Sequence, residues 1–553
     1  MRHDARRDDN GQMTSSHVTA FVGGAVFDGH RYAGRATVLV EDGRVVAVGD
    51  LDPPAGARRV DVTGGLVAPG FVDAHVHTVQ GGLERTRCDL SEGSTRGDYL
   101  TTVREYAAAY PAQEWILGGG WAMSAFPGGT PTAADLDTVV PDRPVFLPNR
   151  DHHGAWVNTR AMEVAGITRA SPDPPHGRFE RDPDGHPTGT LHEGAMQVVV
   201  RHAPGTSAAD YYAGLMAGQA YLHSLGVTGW QDAIVGEYAG MDDPGPTYLE
   251  AARRGDLTAD VVGALWWDRD RGEEQVASLL ERRRELGHGR FRATSVKVMR
   301  DGVAENGTAA LTAPYLDRCG HPTDNSGHSF VDPAALRHHV QVLDAEGFQV
   351  HVHGIGDRGV REALDAFAEV STIGDRRHHI AHLQLVHPDD VRRFAELGVA
   401  ANIQALWACL DDQMTDLTLP FLGEERARWQ YPFGDLHRAG ARLVAGSDWP
   451  VSTPDPLQAI HVAVNRWAFG AEGREGSEPF LPAQALDLET AFAAYTSGSA
   501  WVNHRDDAGT LAPRQVADVV VLDRDPFAGD PAEIGATAAV STWVGGEPVF
   551  GPT

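Results

Sequence analysis

Two histidines one residue apart are the first sign of chemistry in this chain. His75 and His77 close the stretch Gly70-Phe71-Val72-Asp73-Ala74-His75-Val76-His77-Thr78, which follows the apolar run Gly65-Leu66-Val67-Ala68-Pro69. The stretch reads as a buried strand, and alternate side chains of a strand share a face, so both imidazoles point the same way. Imidazoles converging from one strand end can hold a divalent metal ion. Among 26 histidines a His-x-His pair arises easily by chance, so its weight depends on what answers it downstream. The answers are Lys297, followed by Arg300-Asp301-Gly302; His351 and His353, followed by Gly354-Ile355-Gly356-Asp357; His382; and Asp448 in Gly446-Ser447-Asp448-Trp449-Pro450. Each has a dull explanation alone: a hydrogen-bonded strand histidine, a lysine snorkelling to water, an aspartate capping a turn. Their common position, each at or near the end of a strand, argues for one site.

The elements that must position these groups alternate in type. After the first strand, β-branched or apolar runs recur at residues 226–232, 260–265, 294–299, 348–353, 379–382, 399–403 and 442–448, with helical patterns such as 334–345 and 360–368 between several of them. Alternating strands and helices imply βα units and a parallel sheet. Eight such strands are what a (β/α)8 TIM barrel needs, and in that fold the reactive groups sit at the C-terminal strand ends. Residues 83–205 are too many for one crossover and read as an insertion after the first strand, lying over the barrel mouth. Short alternating runs at 18–62 recur in texture at 517–522, 538–544 and 548–550, which suggests a small β-sandwich built from both chain ends, residues 17–69 with 505–553. The barrel then spans 70–504, and residues 1–16 read as a disordered tail.

Bulk properties narrow the function classes. A chain of 553 residues accommodates a large barrel plus a smaller domain, and 42% hydrophobic with 22% charged residues suits a globular protein. The formal charge of −29 makes duplex nucleic acid and anionic membranes poor partners. Cys88, Cys319 and Cys409 are too few and too scattered for a disulfide framework or a thiolate cluster. The polar N-terminus has no apolar core of the signal-peptide type, and no apolar run reaches the ~18 residues of a membrane span. A cytoplasmic location is the default expectation.

Together, Gly-Phe-Val-Asp-Ala-His-Val-His, the fourth-strand lysine, His-Gly-Ile-Gly-Asp, Ile-Ala-His and Gly-Ser-Asp-Trp-Pro resemble the amidohydrolase superfamily, in particular its family 3 branch of N-substituted formamide deformylase-like enzymes. The resemblance covers nearly the whole chain, including Gly509-Thr510-Leu511-Ala512-Pro513 and Ala517-Asp518-Val519-Val520-Val521-Leu522 near the C-terminus. It implies that His75 and His77 hold the more buried metal with Asp448 close by, and that His353 and His382 hold a second. It also implies that Lys297 is carboxylated and bridges the two ions. Zinc is the default pair of ions, with iron or manganese compatible. His351 shares a face with His353 and is either a ligand or a hydrogen-bond partner behind one; the resemblance favours His353 as the ligand.

The implied reaction is hydrolysis of a carbon–nitrogen bond in a small amide, an N-formyl or N-acyl amine. Metal lowers the pKa of water and polarises the carbonyl, while Asp448 passes the proton to the leaving amine. Within the insertion, Asn149-Arg150-Asp151-His152-His153-Gly154-Ala155-Trp156 and Gly118-Gly119-Gly120-Trp121 resemble branch motifs, which makes His153, Trp156 and Trp121 expected substrate contacts. Trp121-Ala122-Met123 stands where the branch often carries an acidic residue, so a more apolar pocket wall is expected, with Trp266, Trp267 and Trp449 as further candidates for it. A homodimer is the expected assembly. Two alternatives stay open: a mononuclear deaminase or cyclic-amide hydrolase with Lys297 unmodified, and a regulatory or binding protein that keeps the barrel without turnover.

Overall fold

The computed structural model describes residues 18–175, 177–238, 241–370, 375–471 and 478–552. The expected tail at 1–16 lies outside the described residues. Eight parallel strands form the central sheet in chain order: β1 (Phe71–Val76), β2 (Val227–Val235), β3 (Asp260–Trp266), β4 (Phe291–Met299), β5 (Gln349–Gly354), β6 (His379–His382), β7 (Ala400–Ile403) and β8 (Leu443–Ala445). These are the eight runs read from the sequence. Strands covered on both faces appear as near-continuous apolar runs, and β1, β5, β6, β7 and β8 are buried at every position.

The barrel closes between β8 and β1 just past the strand ends. Asp448 N donates to His75 O and His77 N donates to Trp449 O, both at 2.8 Å. Gly446 makes this approach possible, because a Cβ there would stand 2.6 Å from His75 N. Register across the sheet sets Lys297 beside His351 and His351 beside His379, with His353 beside Ala381 one step nearer the mouth.

Helix α1 (Thr78–Arg85) begins directly after His77 and packs on α2 (Ala208–Ser224). The two backbones touch at glycine: a Cβ on Gly82 would meet Gly214 O at 1.8 Å. Ser207 and Asp210 form a capping box that starts α2.

Both chain ends meet below the barrel in two sheets. A four-stranded sheet has the order Arg44–Gly49, Thr37–Glu41, Val18–Val22, Arg58–Asp61; a six-stranded one runs Glu547–Phe550, Ala539–Val544, Val519–Leu522, Leu66–Pro69, Ala25–Phe27, Tyr32–Arg35. The N-terminal strand Leu66–Pro69 pairs antiparallel with the C-terminal strand Val519–Leu522 and leads straight into β1. Phe21, Val38, Val45, Val519, Val521 and Trp543 share one buried cluster.

Between β1 and β2 the chain builds another six-stranded sheet, from Cys88–Asp89 to Pro187–Glu193. It carries its own cores, one around Tyr99, Trp121, Phe126 and Trp156, another around Trp115, Phe146 and Phe179. Among the described residues no helix is long and apolar enough to cross a membrane.

Candidate metal centre

The period of two along β1, carried one residue past its end, delivers His75 and His77 to the barrel mouth. His75 Nε2 and His77 Nε2 each lie 3.0 Å from Asp448 Oδ1, although 371 residues separate His77 from Asp448. One ligand atom from each of the three lies within 4.8 Å of the others. His382 Nδ1 is 3.9 Å from Asp448 Oδ2, and Lys297 Nζ is 3.5 Å from His75 Nε2. The His353 ring packs on His382 with centroids 4.4 Å apart, and its Nε2 lies 3.3 Å from Gly302 O. His351 stands behind His75: its Nε2 is 2.9 Å from His75 Nδ1 and its Nδ1 is 2.7 Å from Gln231 Oε1.

Backbone strain gathers at the same place. Asp448, His382, Leu383 and His152 all adopt left-handed backbone with φ of 57°, 80°, 53° and 63°. Such conformations cost roughly 1–3 kcal/mol each for residues other than glycine and persist where surrounding structure holds them. Asp448 is held by the bond from its N–H to His75 and by Ser447 N donating to Asp73 Oδ1 at 3.0 Å.

Burial dominates the electrostatics. It holds His351, His353, His379 and His382 well below the usual imidazole value and brings His75 down to about 3, which disfavours the imidazolium form. Burial also lowers Lys297 to about 7, with the Asp448 charge opposing. For Asp448, burial raises the value, but His75 and the bonds from His75 and His77 outweigh it and hold the carboxyl well below its ordinary range. Neutral imidazoles and an ionised carboxylate are the forms that bind metals.

The donor set fits a divalent cation on a further ground. Among the described residues, the buried Nδ1 atoms of His77 and His382 have no hydrogen-bond partner, and an orphaned polar atom of this kind is costly unless something else satisfies it. Nitrogen and oxygen donors without thiolate suit zinc, iron or manganese.

A cavity of about 700 Å³ opens over the centre, walled by Met299, Ile355, Leu406, Trp407 and Trp449 together with the centre itself. A neighbouring cavity of about 590 Å³ shares His152, His153, Tyr238 and Met299 with it and adds Trp266, which packs on Tyr238 at 4.6 Å. The insertion therefore reaches the site through His152 and His153. His153 Nδ1 lies 2.8 Å from Glu193 Oε1.

Two expected substrate contacts are corrected. Trp121 and Trp156 line neither cavity; they pack on each other and on Phe126 inside the insertion, with ring centroids 5.1–6.2 Å apart. Their indole N–H groups are satisfied by Leu147 O at 2.8 Å and Thr132 O at 2.7 Å, so neither ring needs a polar cavity. The apolar wall expected from Trp121 is absent from its place, and Trp267 is likewise packed, against His339. Trp266 and Trp449 do line the cavities.

Several residues were not singled out from the sequence. Gln231 and His379 lie inside strands that were recognised, where the alternation could have marked them as inward-facing. Trp407 stacks on His382 at 5.4 Å from a short turn that carries no motif. Glu193 comes from the far end of the insertion sheet, and nothing in its neighbourhood announces it.

Comparison with known proteins agrees with this geometry. A family model described as "Amidohydrolase family" matches residues 58–550. The chain is 28% identical to the putative amidohydrolase YtcJ of Bacillus subtilis, over 93% of this chain and 95% of that protein. It is 26% identical to the N-substituted formamide deformylase of Arthrobacter pascens, over 92% and 94%. A solved structure of an uncharacterised metal-dependent hydrolase from Pyrococcus horikoshii superposes with a TM-score of 0.71 at 25% identity, covering 93% of this chain and 99% of that one. The chain belongs to the amidohydrolase family.

Proposed function

We propose that this hydrolase cleaves the carbon–nitrogen bond of a small neutral amide, an N-formyl or N-acyl amine bearing an apolar group. The observation that carries the reading is the convergence of His75, His77 and Asp448 at the floor of the larger cavity. His75, His77 and Asp448 would hold one divalent ion, and His353 and His382 a second, with carboxylated Lys297 between them. A buried lysine that gives up its proton readily is the form that captures CO₂, since only the neutral amine reacts. Bound metal supplies Lewis-acid polarisation and a more acidic water.

The chain supplies the rest. Asp448, ionised and 3.0 Å from both β1 histidines, accepts a proton at its carboxylate and returns it to the leaving nitrogen. His153, paired with Glu193, brings a cation to the cavity from the insertion. Met299, Ile355, Leu406 and Trp449 give the apolar group a dry wall.

Elemental analysis of protein purified without added metal or chelator, alongside turnover of N-formyl and N-acyl amines, tests the reading. About two ions per chain with hydrolysis are expected, as in two-metal sites. Protein that holds no metal, and regains none on adding zinc or manganese, would overturn it. A second reading has its own support: the tight donor group at the mouth contains His75, His77 and Asp448 without His353 or His382. About one ion per chain, with deaminase or cyclic-amide hydrolase turnover, would mark that mononuclear form.

A further inference from the structure

Four residues, His152, His153, Tyr238 and Met299, line both the cavity over the metal centre and its neighbour of about 590 Å³. Met299 ends β4 two residues beyond Lys297 and on the same face, so the second space begins one step along the strand from the centre. We propose that the neighbouring cavity is a second substrate subsite, which takes a neutral aromatic arm bearing a hydrogen-bond acceptor. The proposal rests on the amide-hydrolase reading above and narrows it: hydrolysis gives an acid and an amine that each carry a sizeable group, whereas an N-formyl amine leaves one cavity empty.

Both parts of the fold shape this space. Tyr238 follows β2, Trp266 ends β3 and Met299 ends β4, while Glu193 and Met196 reach it from the insertion. The Trp266 and Tyr238 rings stand 4.6 Å apart at 56° and form a corner, where a flat ring can stack on one and meet the other edge-on. Trp121, Trp156 and Trp267 are fully packed, but Trp266 and Tyr238 are only partly buried. Among the described residues nothing accepts a hydrogen bond from the Trp266 indole N–H or the Tyr238 hydroxyl. Burial raises the phenol to about 12, so it keeps its proton and can donate. Two unspent donors beside an aromatic corner suit a ring that carries an ether or carbonyl oxygen.

Charge disfavours other arms. Arg282 meets Asp243 at 2.6 Å, His153 meets Glu193 at 2.8 Å, and the Arg269 guanidinium lies 4.4 Å from the centre of the Phe330 ring. Among the described residues Glu237, Asp268 and Asp270 pair with no cation, so the cavity is left negative and an arm ending in a carboxylate is repelled. An ammonium-bearing arm would have to pass the protonated His153, and the exposed Glu237 and Asp270 that could attract it are screened by solvent. A neutral ring disturbs none of these pairs.

The test uses the full chain as purified, with its metal. N-(phenoxyacetyl)isobutylamine and N-isovaleryl-4-methoxybenzylamine place the aromatic arm on the acyl side and on the amine side. Each is compared with the amide that has methyl in place of that arm, N-acetylisobutylamine or N-isovalerylmethylamine. In one of the pairs the aromatic amide is expected to lead in kcat/KM by about 10–100-fold, the worth of burying one ring. Trp266→Ala should abolish that preference and Trp266→Phe should keep most of it. Tyr238→Phe should lower it by about 2–10-fold, the range for one hydrogen bond. No preference in either pair, or a preference that survives Trp266→Ala, would overturn the proposal. So would faster turnover when an ammonium group replaces the aromatic ring.

Wild-type protein that turns over none of these amides would remove the hydrolase reading instead. Calorimetric binding of the same two aromatic amides, then unhydrolysed, decides the subsite by itself. Binding to wild type tighter than to Trp266→Ala by about 10-fold or more upholds it. Equal affinity, or no binding of either amide, overturns it.

Discussion

His153 keeps a charge where its neighbours lose theirs. Burial pulls its pKa down, but Glu193 at 2.8 Å overcomes that and carries it up to about 9, whereas adjacent His152, where burial outweighs the Asp448 charge, falls to about 3. For a raised pKa the sign is definite: the pair stabilises the fold fully below the unfolded value of ~6.5, and the contribution fades as pH rises through about 9. Glu193→Gln removes the partner and leaves the burial. The ring is then expected to titrate below ~6.5, seen by NMR, and stability should fall at pH 6.5 but hardly at pH 10. If His153 contacts substrate as proposed, KM for the amide rises at neutral pH in the same variant. An unchanged titration midpoint would refute the Glu193 pairing.

Among elements, the contact between α1 and α2 governs where His77 can sit. Helix α1 starts one residue beyond that histidine, and Gly82 lets its backbone rest on Gly214, with a Cβ at Gly82 only 1.8 Å from Gly214 O. Gly82→Ala is expected to push the helices apart, costing about 1–3 kcal/mol by the usual scale of overpacking, and to reduce metal content as α1 drags on His77. Gly97→Ala is the contrasting change. Its Cβ would meet nothing closer than Thr95 Oγ1 at 3.7 Å, so neutrality or a gain of about 0.4–1 kcal/mol is expected. Urea unfolding of both variants, with metal analysis, separates the two outcomes; equal stabilities would mean that the helix contact is not tight.

For the molecule as a whole, the sheets built from both chain ends carry stability that the site does not share. Trp543 is 1% exposed and meets Phe21 edge-on at 5.3 Å, so one ring joins the C-terminal strands to the first N-terminal one. Trp543→Ala is expected to cost about 3–5 kcal/mol, the range for removing a buried aromatic ring. The folded fraction should nonetheless keep wild-type metal content, since neither cavity is lined by this residue. Loss of metal at full foldedness would show instead that the terminal sheets hold β1 in place.

The amino-acid sequence by itself determined the eight barrel strands and the polar groups at their ends. Strands buried on both faces must be written as apolar runs, and a histidine, lysine or aspartate that interrupts such a run is conspicuous. It also put His351 on the face of His353, as a ligand or a hydrogen-bond partner behind one, because period two admits no other face. Tertiary structure alone decided which tryptophans are core. Trp121 and Trp156 satisfy their N–H groups within the insertion, and the carbonyls that do so, Leu147 and Thr132, lie 26 and 24 residues away. It alone paired His153 with Glu193 across 40 residues, and joined Gln231, Gln349 and His351 by hydrogen bonds across the barrel. Local patterning records whether a position is buried; the partner a polar group meets on a distant strand depends on what the whole fold brings beside it.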